Sequence, residues 1–268
     1  AMTMTNTIKR LHIGQDQSVW QDDISRDMLQ QGTLQKAIDE IGIRGVTSNP
    51  TIFQKAIASG HAYDDDIKRM LGENKTPAEV FQSLAVQDIR DACDLFRPMY
   101  DESNGGDGYV SIEVLPSLAR DTEGTLRNAR ELWRAVDRPN LMVKVPGTKE
   151  GWPAIEQLLT EGININITLL FSIQNYEKVA RAYVQALKNR VNAGQPIDRV
   201  ASVASFFVSR VDTAADKEID AKIAAGNEEL RDLKGKVAVA NAKLAYRKFQ
   251  EIFGSDEFKA LEEKGAGV

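Results

Sequence analysis

The stretch Leu141-Met142-Val143-Lys144-Val145 decides the fold class, because it is apolar at every position except one. A run that is apolar on both alternating faces is typical of a strand in a parallel sheet covered by helices. Apolar residues at helical spacing precede it, at Leu126, Ala129, Leu132 and Trp133. The stretch therefore predicts a buried parallel strand that follows a helix.

Similar segments recur along the whole chain. The runs that predict strands are Ser18–Trp20, Arg44–Thr47, Tyr109–Val114, Leu141–Val145, Ile163–Leu170 and Val200–Val208. Helical spacing of apolar residues lies between them, as at Leu34–Ile41, Val80–Ala92 and Tyr176–Leu187. Repeated alternation of strand and helix predicts the α/β class.

Polar residues near the strand ends favour a closed (β/α)₈ TIM-type barrel over an open doubly wound sheet. A barrel gathers catalytic groups at the carboxyl ends of several strands, whereas an open sheet gathers them near one switch point. All six predicted strands contribute to one polar set, which is Asp22, Asp23, Asn49, Glu113, Lys144, Asn164, Asn166, Thr168, Ser205 and Arg210. We therefore predict a barrel.

Only six of the eight strands of such a barrel are evident. Residues 213–265 follow the sixth strand, and their 236–253 stretch has helical spacing. Two missing strands would leave open edges that invite association. Three explanations stay open: a truncated form, a second molecule that closes the gap as in a homo-oligomer, or too low a strand count.

Composition limits the classes of function. The 268 residues are 42% hydrophobic and 27% charged, as in globular proteins, and the net charge of −5 argues against nucleic-acid binding. One cysteine and two histidines leave no internal disulfide and few zinc ligands, so we expect a reducing compartment and no metal. No apolar run approaches the roughly 18 residues of a membrane span.

The N-terminal segment differs from the rest of the chain. Residues 1–10 are polar and rich in threonine, and they lack the apolar core of a signal peptide. We expect this segment to be disordered or tag-derived, and residues 11–268 to form one barrel domain, since no linker-like stretch divides them. A cytoplasmic location is expected.

Lys144 is the most informative residue for chemistry. Burial would lower the pKa of its ammonium and expose a neutral amine that can attack a carbonyl, as a Schiff-base enzyme needs. The structural alternative is a lysine that reaches solvent or pairs with Glu113. Glu113, one strand earlier, is a candidate proton shuttle, and Asp22 is a second acidic candidate; Asp23 is read as a helix cap or a solvated charge.

The remaining candidates each have a structural alternative. Asn49 before Pro50 fits a helix N-cap as well as a ligand for a hydroxyl. Asn164 and Asn166 alternate with isoleucines and should face the barrel interior. Arg210 suits a phosphate but could equally pair with Asp212. The Gly105–Gly108 run precedes a strand and is read as a loop, not a nucleotide cradle.

Six stretches together resemble transaldolase, in particular its longer bacterial and cyanobacterial form. They are Trp20–Arg26, Gly45–Phe53, Val110–Val114, Val143–Thr148, Ile163–Ser172 and Ser205–Arg210. The resemblance implies a (β/α)₈ fold that lacks here its last two strand–helix units, and no cofactor. It implies transfer of a dihydroxyacetone unit from sedoheptulose 7-phosphate to glyceraldehyde 3-phosphate, which yields erythrose 4-phosphate and fructose 6-phosphate.

The resemblance also implies roles for individual residues. Lys144 would form the Schiff base, Glu113 would move protons through a water that Thr168 helps to hold, and Asp22 would take the hydroxyl proton in carbon–carbon cleavage. The dihydroxyacetone and phosphate ligands would be Asn49, Asn166, Ser205 and Arg210. Because two units are lacking, we expect the isolated chain to be weakly active or inactive. The alternatives are an aldolase that releases free dihydroxyacetone and a non-catalytic barrel fragment.

Overall fold

The structure is a computed structural model that describes residues 8–9, 12, 17–170, 172–206 and 208–268, with the side chains of 206, 208–212 and 238 left out. The chain forms two compact units. The first unit holds residues 1–116 and 127–144, and the second holds residues 117–126 and 145–268. Most of the expected N-terminal segment lies outside the described residues, and the expected single domain stays a prediction.

Strands and helices alternate along the described chain, so the predicted α/β class with six strands is confirmed. The strands are β1 (Trp20–Gln21), β2 (Gly45–Val46), β3 (Tyr109–Glu113), β4 (Leu141–Pro146), β5 (Ile165–Leu170) and β6 (Ser202–Phe206). The helices are α1 (Arg26–Gln30), α2 (Thr33–Lys36), α3 (Pro50–Ala58), α4 (Asp64–Gly72), α5 (Pro77–Glu102), α6 (Thr122–Val136), α7 (Gly151–Thr160), α8 (Ile173–Asn192), α9 (Val208–Ala224), α10 (Val237–Phe253) and α11 (Asp256–Glu262).

The strand boundaries differ from the sequence prediction by a few residues, and two of these differences move candidate residues out of a strand. β5 begins at Ile165, so Asn164 precedes the strand rather than lying in it. β6 ends at Phe206 and α9 begins at Val208, so Arg210 lies in a helix and not at the end of a strand. The apolar run continues across this junction without a glycine or proline to mark the turn, which is why the sequence pattern overextended β6.

In the first unit the strands are parallel and follow the order β1-β2-β3-β4. β3 and β4 are buried almost throughout, which explains their nearly continuous apolar sequence. The long helix α5 begins with a capping box between Thr76 and Glu79, and Pro77 lies between them in the first turn. Its buried face packs against β3, which places the strand that carries Glu113 against the core of this unit.

Two glycines allow close approaches in this unit. The indole of Trp20 lies over Gly45, where a Cβ atom would come within 2.5 Å of the ring. Gly108 has φ +83° and passes the backbone of α5, where a Cβ atom would lie 2.7 Å from the nitrogen of Tyr100. The Gly105–Gly108 run is a loop, as predicted, and its Asp107 is buried in an ion pair of 2.6 Å with Arg44.

A buried polar network ties the segment after β1 to the helices of the first unit. The Nε of Arg26 donates to Asp88 at 2.9 Å, and the hydroxyl of Tyr63 donates to the other oxygen of Asp88 at 2.6 Å. The backbone nitrogen of Arg26 donates to the same hydroxyl at 2.9 Å, and the guanidinium stacks over the Tyr63 ring. Asp88 is fully buried. This network fixes α1, and with it the chain that leads from Asp22.

In the second unit β5 and β6 are parallel, with Ile165 paired to Ser202 and Asn166 to Val203. The end of β4 enters this unit, where the nitrogen of Gly147 donates to the Thr168 carbonyl at 2.7 Å. Aromatic rings from α8, α10 and α11 pack together; they are Tyr183, Phe249, Phe253 and Phe258. None of the helices in the described part of the chain is long and apolar enough to cross a membrane.

Candidate active site

The register of the first unit brings the two principal candidates side by side. Glu113 and Lys144 are direct partners across β3 and β4, at the carboxyl ends of both strands. Because residues opposite each other in a parallel pair point to the same face, the carboxyl and the amine share one side of the sheet. Asp22 follows β1 immediately, and Asn49 is the third residue after β2. Four candidates therefore come from four adjacent strand ends.

Lys144 is a buried amine without a close counter-charge. It is 9% exposed, and its neighbours Val143 and Val145 are fully buried. Its Nζ donates to the backbone carbonyl of Ser48 at 2.9 Å. Among the described residues, no carboxylate oxygen lies within 4.0 Å of this nitrogen. The alternatives of a solvent-exposed lysine or a direct ion pair with Glu113 do not describe this geometry.

Burial moves the pKa of Lys144 and that of Glu113 in opposite directions. Desolvation lowers the Lys144 pKa, and the charges of Glu113 and Asp22 counteract this only in part. Desolvation raises the Glu113 pKa; the charge of Lys144 opposes this increase, whereas the charge of Asp22 adds to it. Both groups are thus shifted towards their neutral forms, which suits one as a nucleophile and the other as a proton donor.

Asp22 and Asp23 are both exposed. Asp22 lines an open depression in the first unit together with Ser25 and Lys55. The N-cap of α1 is Ser25, whose hydroxyl accepts from the nitrogen of Met28 at 3.3 Å. The helix-cap interpretation of Asp23 is therefore wrong, because the helix begins two residues later than that interpretation requires. The exposed side chain of Asp23 fits the other interpretation, a solvated charge.

Asn49 is the N-cap of α3, with its Oδ1 accepting from the nitrogen of Ile52 at 2.9 Å and Pro50 in the first turn. The cap uses the amide oxygen, so the half-buried Asn49 side chain has a fixed orientation and its Nδ2 group is available as a donor. The two interpretations of Asn49 are therefore compatible. Its role as a ligand stays a prediction.

The second unit pairs two of its candidates directly. The hydroxyl of Ser205 donates to the Oδ1 of Asn166 at 2.9 Å, and Asn166 is buried. Thr168, two residues further along β5, is also buried and lies where the pairing of β5 with β6 shifts register between Ile167 and Leu170. Asn164 accepts from the nitrogen of Ala201 at 2.9 Å and so holds the start of β6. The side chain of Arg210 lies outside the described residues.

Comparison with known proteins identifies the family. The family model described as transaldolase/fructose-6-phosphate aldolase matches residues 19–263. The chain belongs to this family. It is 49% identical to a transaldolase of Trichodesmium erythraeum over 93% of this chain and 67% of that protein. It is 49% identical to a transaldolase of Thiobacillus denitrificans over 99% of this chain and 72% of that protein, and 46% identical to one of Mycobacterium tuberculosis over 94% and 67%.

Two groups that support this transaldolase-family site escaped the sequence analysis. The first is the Ser48 carbonyl that receives Lys144, which carries no signal in the sequence because every residue has a carbonyl. The second is the network of Arg26, Tyr63 and Asp88. Arg26 belongs to the Trp20–Arg26 stretch that supports the resemblance, but its partners are 37 and 62 positions away in the sequence. No spacing rule links residues that far apart.

The described residues include no group of three or more histidine, cysteine, aspartate or glutamate side chains arranged to hold a metal ion. Cys93 is buried, and burial raises the pKa of its thiol. The thiol is therefore protonated at neutral pH and a poor nucleophile. Lys144, by contrast, is a buried amine whose pKa is lowered and which lies opposite Glu113 in the neighbouring strand.

Proposed function

We propose that this chain is a transaldolase that transfers a dihydroxyacetone unit between sugar phosphates through an imine on Lys144. The observation that carries the proposal is the Lys144 amine itself. It is 9% exposed, no carboxylate of the described residues contacts it, and Glu113 lies opposite it in the neighbouring strand. A neutral amine beside a protonatable carboxyl is the pair that imine formation needs. Membership of the transaldolase family supports the assignment.

Imine formation uses both members of this pair. The lone pair of the Lys144 Nζ attacks the ketone carbon of fructose 6-phosphate or sedoheptulose 7-phosphate, and the ketone oxygen takes up a proton. The nitrogen gives up one of its two protons to form the carbinolamine. The carbinolamine hydroxyl then takes up a proton and leaves as water, the nitrogen lone pair forms the second bond to carbon, and the remaining N–H proton leaves the imine in its protonated form. Glu113 donates and accepts these protons through a water molecule. Desolvation raises its pKa, which favours the protonated form that this role as a proton donor needs.

Carbon–carbon cleavage follows from the imine. The protonated imine nitrogen accepts the electron pair of the breaking bond, and Asp22 takes the proton of the hydroxyl that becomes the product aldehyde. An enamine stays on Lys144 while the aldose phosphate leaves. The enamine carbon then adds to the aldehyde of the acceptor, and hydrolysis of the new imine frees the product ketose and the lysine.

The resemblance supplies the remaining roles in the proposal. Asn49, Asn166 and Ser205 bind hydroxyl groups of the dihydroxyacetone unit, and Thr168 holds the catalytic water. Arg210 binds the phosphate through its planar guanidinium. The hydrogen bond between Ser205 and Asn166 supports a shared function for these two residues, because it fixes the direction in which the amide of Asn166 points.

Reduction of the imine tests this proposal. The chain is incubated with fructose 6-phosphate and borohydride, which converts an imine into a stable amine, and the peptides are analysed by mass spectrometry. We expect a dihydroxyacetone or hexose phosphate adduct on the peptide that holds Lys144, and none in Lys144→Met. Labelling of the wild-type chain at other lysines only would contradict the proposal.

The family description names fructose-6-phosphate aldolase beside transaldolase, so release of free dihydroxyacetone is the second candidate. The two activities differ in their need for an acceptor. A transaldolase consumes fructose 6-phosphate rapidly only when an acceptor such as erythrose 4-phosphate is present, whereas the aldolase consumes it without one. Consumption that is independent of the acceptor would favour the aldolase.

We also propose that the protein acts in the cytoplasm, in the pentose phosphate pathway. The single cysteine supports a reducing compartment, and sugar phosphates are its proposed small-molecule partners. A fluorescent fusion observed in cells tests the location. Accumulation outside the cytoplasm would contradict it.

A further inference from the structure

Ser48 connects Lys144 to the neighbouring strand through two hydrogen bonds. Its carbonyl oxygen accepts from the Nζ of Lys144 at 2.9 Å. Its own hydroxyl donates to the carbonyl of Ser111, in β3, at 2.7 Å. Ser48 is fully buried, so water does not compete for either bond.

The hydroxyl bond lies where the pairing of β2 with β3 has ended. The register pairs Gly45 with Tyr109 and Val46 with Val110, and the strand β2 stops there. Ser48 is two residues further on, and its hydroxyl donates to the backbone carbonyl of Ser111. A side chain, rather than a backbone ladder bond, therefore makes this contact with β3. The serine hydroxyl thus extends the attachment of this segment to β3 beyond the last ladder pair.

The residue after Ser48 is held as well. Asn49 caps α3, so the chain turns from strand to helix directly after the Ser48 carbonyl. The peptide that carries this carbonyl is therefore fixed by the Ser48 hydroxyl on one side and by the Asn49 cap on the other. A carbonyl held in this way presents its lone pairs in one direction.

The amine of Lys144 depends on this carbonyl for its orientation. Four methylene groups separate the nitrogen from the backbone, and no carboxylate in the described part of the chain comes within 4.0 Å of it. A carbonyl acceptor engages one N–H bond of a neutral amine and leaves the nitrogen lone pair available for attack. It orients the nucleophile without supplying a negative charge.

We infer that Ser48 is a positioning residue, whose hydroxyl bond to Ser111 fixes the Ser48 carbonyl and thereby aims the Nζ of Lys144 at the substrate ketone. The inference deepens the proposed function and rests on it, because it requires Lys144 to form the imine. Ser48 itself does not touch the reacting atoms in this account. Its contribution is the correct placement of the amine, and misplacement by about 1 Å can lower a rate by roughly 100-fold.

The test compares borohydride trapping in four chains: the wild type, Ser48→Ala, Ser48→Thr and Ser103→Ala. Ser48→Ala removes the hydroxyl, and Ser48→Thr retains it. Ser103→Ala is the control, since its hydroxyl also donates to a backbone carbonyl, that of Tyr100 at 3.3 Å, but Ser103 is the C-cap of α5 and precedes β3 by six residues. The maximal trapping rate on Lys144 and the half-saturating fructose 6-phosphate concentration are measured for each chain.

We expect Ser48→Ala to lower the maximal trapping rate about 10- to 100-fold with little change in the half-saturating fructose 6-phosphate concentration. The amine is then no longer held in the orientation for attack, whereas the contacts with the substrate persist. Ser48→Thr should retain most of the rate, and Ser103→Ala should match the wild type. If Ser48→Ala does not fold, as judged by circular dichroism, Ser48→Cys replaces it. The thiol fills a similar volume but is a weak donor, so a reduced rate is again expected.

Three results would overturn the inference. Ser48→Ala, or Ser48→Cys in its place, could trap at the wild-type rate. Ser103→Ala could lose as much as the Ser48 variant, which would indicate general destabilisation. Ser48→Thr could be as slow as Ser48→Ala. All three differ from failure of the proposed function, in which the wild-type chain itself gives no adduct on Lys144.

Discussion

At the level of single residues, the candidate site contains an acid and a base, Glu113 and Lys144, and burial shifts their pKa values in opposite directions. The sheet places Glu113 and Lys144 on adjacent strands, where desolvation raises the pKa of the acid and lowers that of the base. Their mutual attraction works against both shifts, and the absence of contact within 4.0 Å limits that attraction. Separation of the two groups therefore favours the neutral forms of both.

Glu113→Gln should shift the pH dependence of imine formation to lower pH. The negative charge of Glu113 raises the pKa of Lys144 against the effect of burial, so its removal lets that pKa fall further. The neutral amine then exists at lower pH than in the wild type. The measurement is the initial rate of borohydride trapping as a function of pH. Each profile is normalised to its own maximum, because loss of the proposed proton shuttle lowers the maximal rate as well. An upward shift of the profile would contradict this reasoning.

Lys144→Met should stabilise the protein near neutral pH. The folded state lowers the pKa of Lys144, so the unfolded state binds more protons at pH values between this lowered pKa and the ordinary lysine pKa. The free energy of unfolding therefore rises with pH between these two values. Methionine has similar length and no charge to desolvate. We expect a higher unfolding temperature at pH 7, with the difference from the wild type narrowing as pH approaches the ordinary lysine pKa. A destabilised variant, or a difference in unfolding temperature that widens with pH, would show that burial of the Lys144 ammonium does not lower the free energy of unfolding.

At the scale of secondary-structure elements, the short segment from Asp22 to α1 has little regular structure of its own. β1 contains two residues and α1 five. The segment is instead held by Arg26, which reaches Asp88 on α5 and Asp66 on α4. Tyr63 completes the network through its hydroxyl. A buried charge pair of this kind is costly to break, because the surviving partner cannot be rehydrated.

Asp88→Asn should lower the free energy of unfolding by about 3–5 kcal/mol, since it leaves the buried guanidinium of Arg26 without its principal counter-charge. The matched control is Asp101→Asn on the same helix. Its partner Arg97 is about half exposed, and such surface pairs contribute only about 0–1 kcal/mol. Urea unfolding followed by circular dichroism measures both variants. Equal effects of the two substitutions would indicate that burial does not distinguish the pairs.

The elements most accessible to sequence reasoning were those whose pattern is local. Six strands are predictable because apolar runs such as Leu141–Val145 are continuous. The proline after Asn49 predicts a helix cap there as one of two open interpretations, and the structure shows the cap. The end of β6 was missed because aromatic and β-branched residues continue past it into α9. The partners of Lys144 and Arg26 were missed because they are a backbone carbonyl and side chains distant in the sequence.

For the chain as a whole, the comparisons show the family, and the structure gives the candidate residues of each of the two units separately. Family membership rests on residues 19–263, almost the full described length. The first unit alone contains the amine, its carbonyl partner and two acids. The roles of Thr168, Asn166, Ser205 and Arg210 stay predictions that follow from the resemblance, since proximity within a strand does not identify a ligand.

Removal of divalent metal from the whole protein should leave imine formation unchanged. In the proposed reaction the protonated imine of Lys144 accepts the electrons of the breaking carbon–carbon bond, so the chemistry does not call for a Lewis acid. The chain is dialysed against a chelator, and the rate of borohydride trapping with fructose 6-phosphate is compared before and after, with circular dichroism as the check on folding. A loss of trapping that a divalent cation restores, in a chain that has stayed folded, would show that a metal ion takes part in the reaction and that the imine alone is not sufficient.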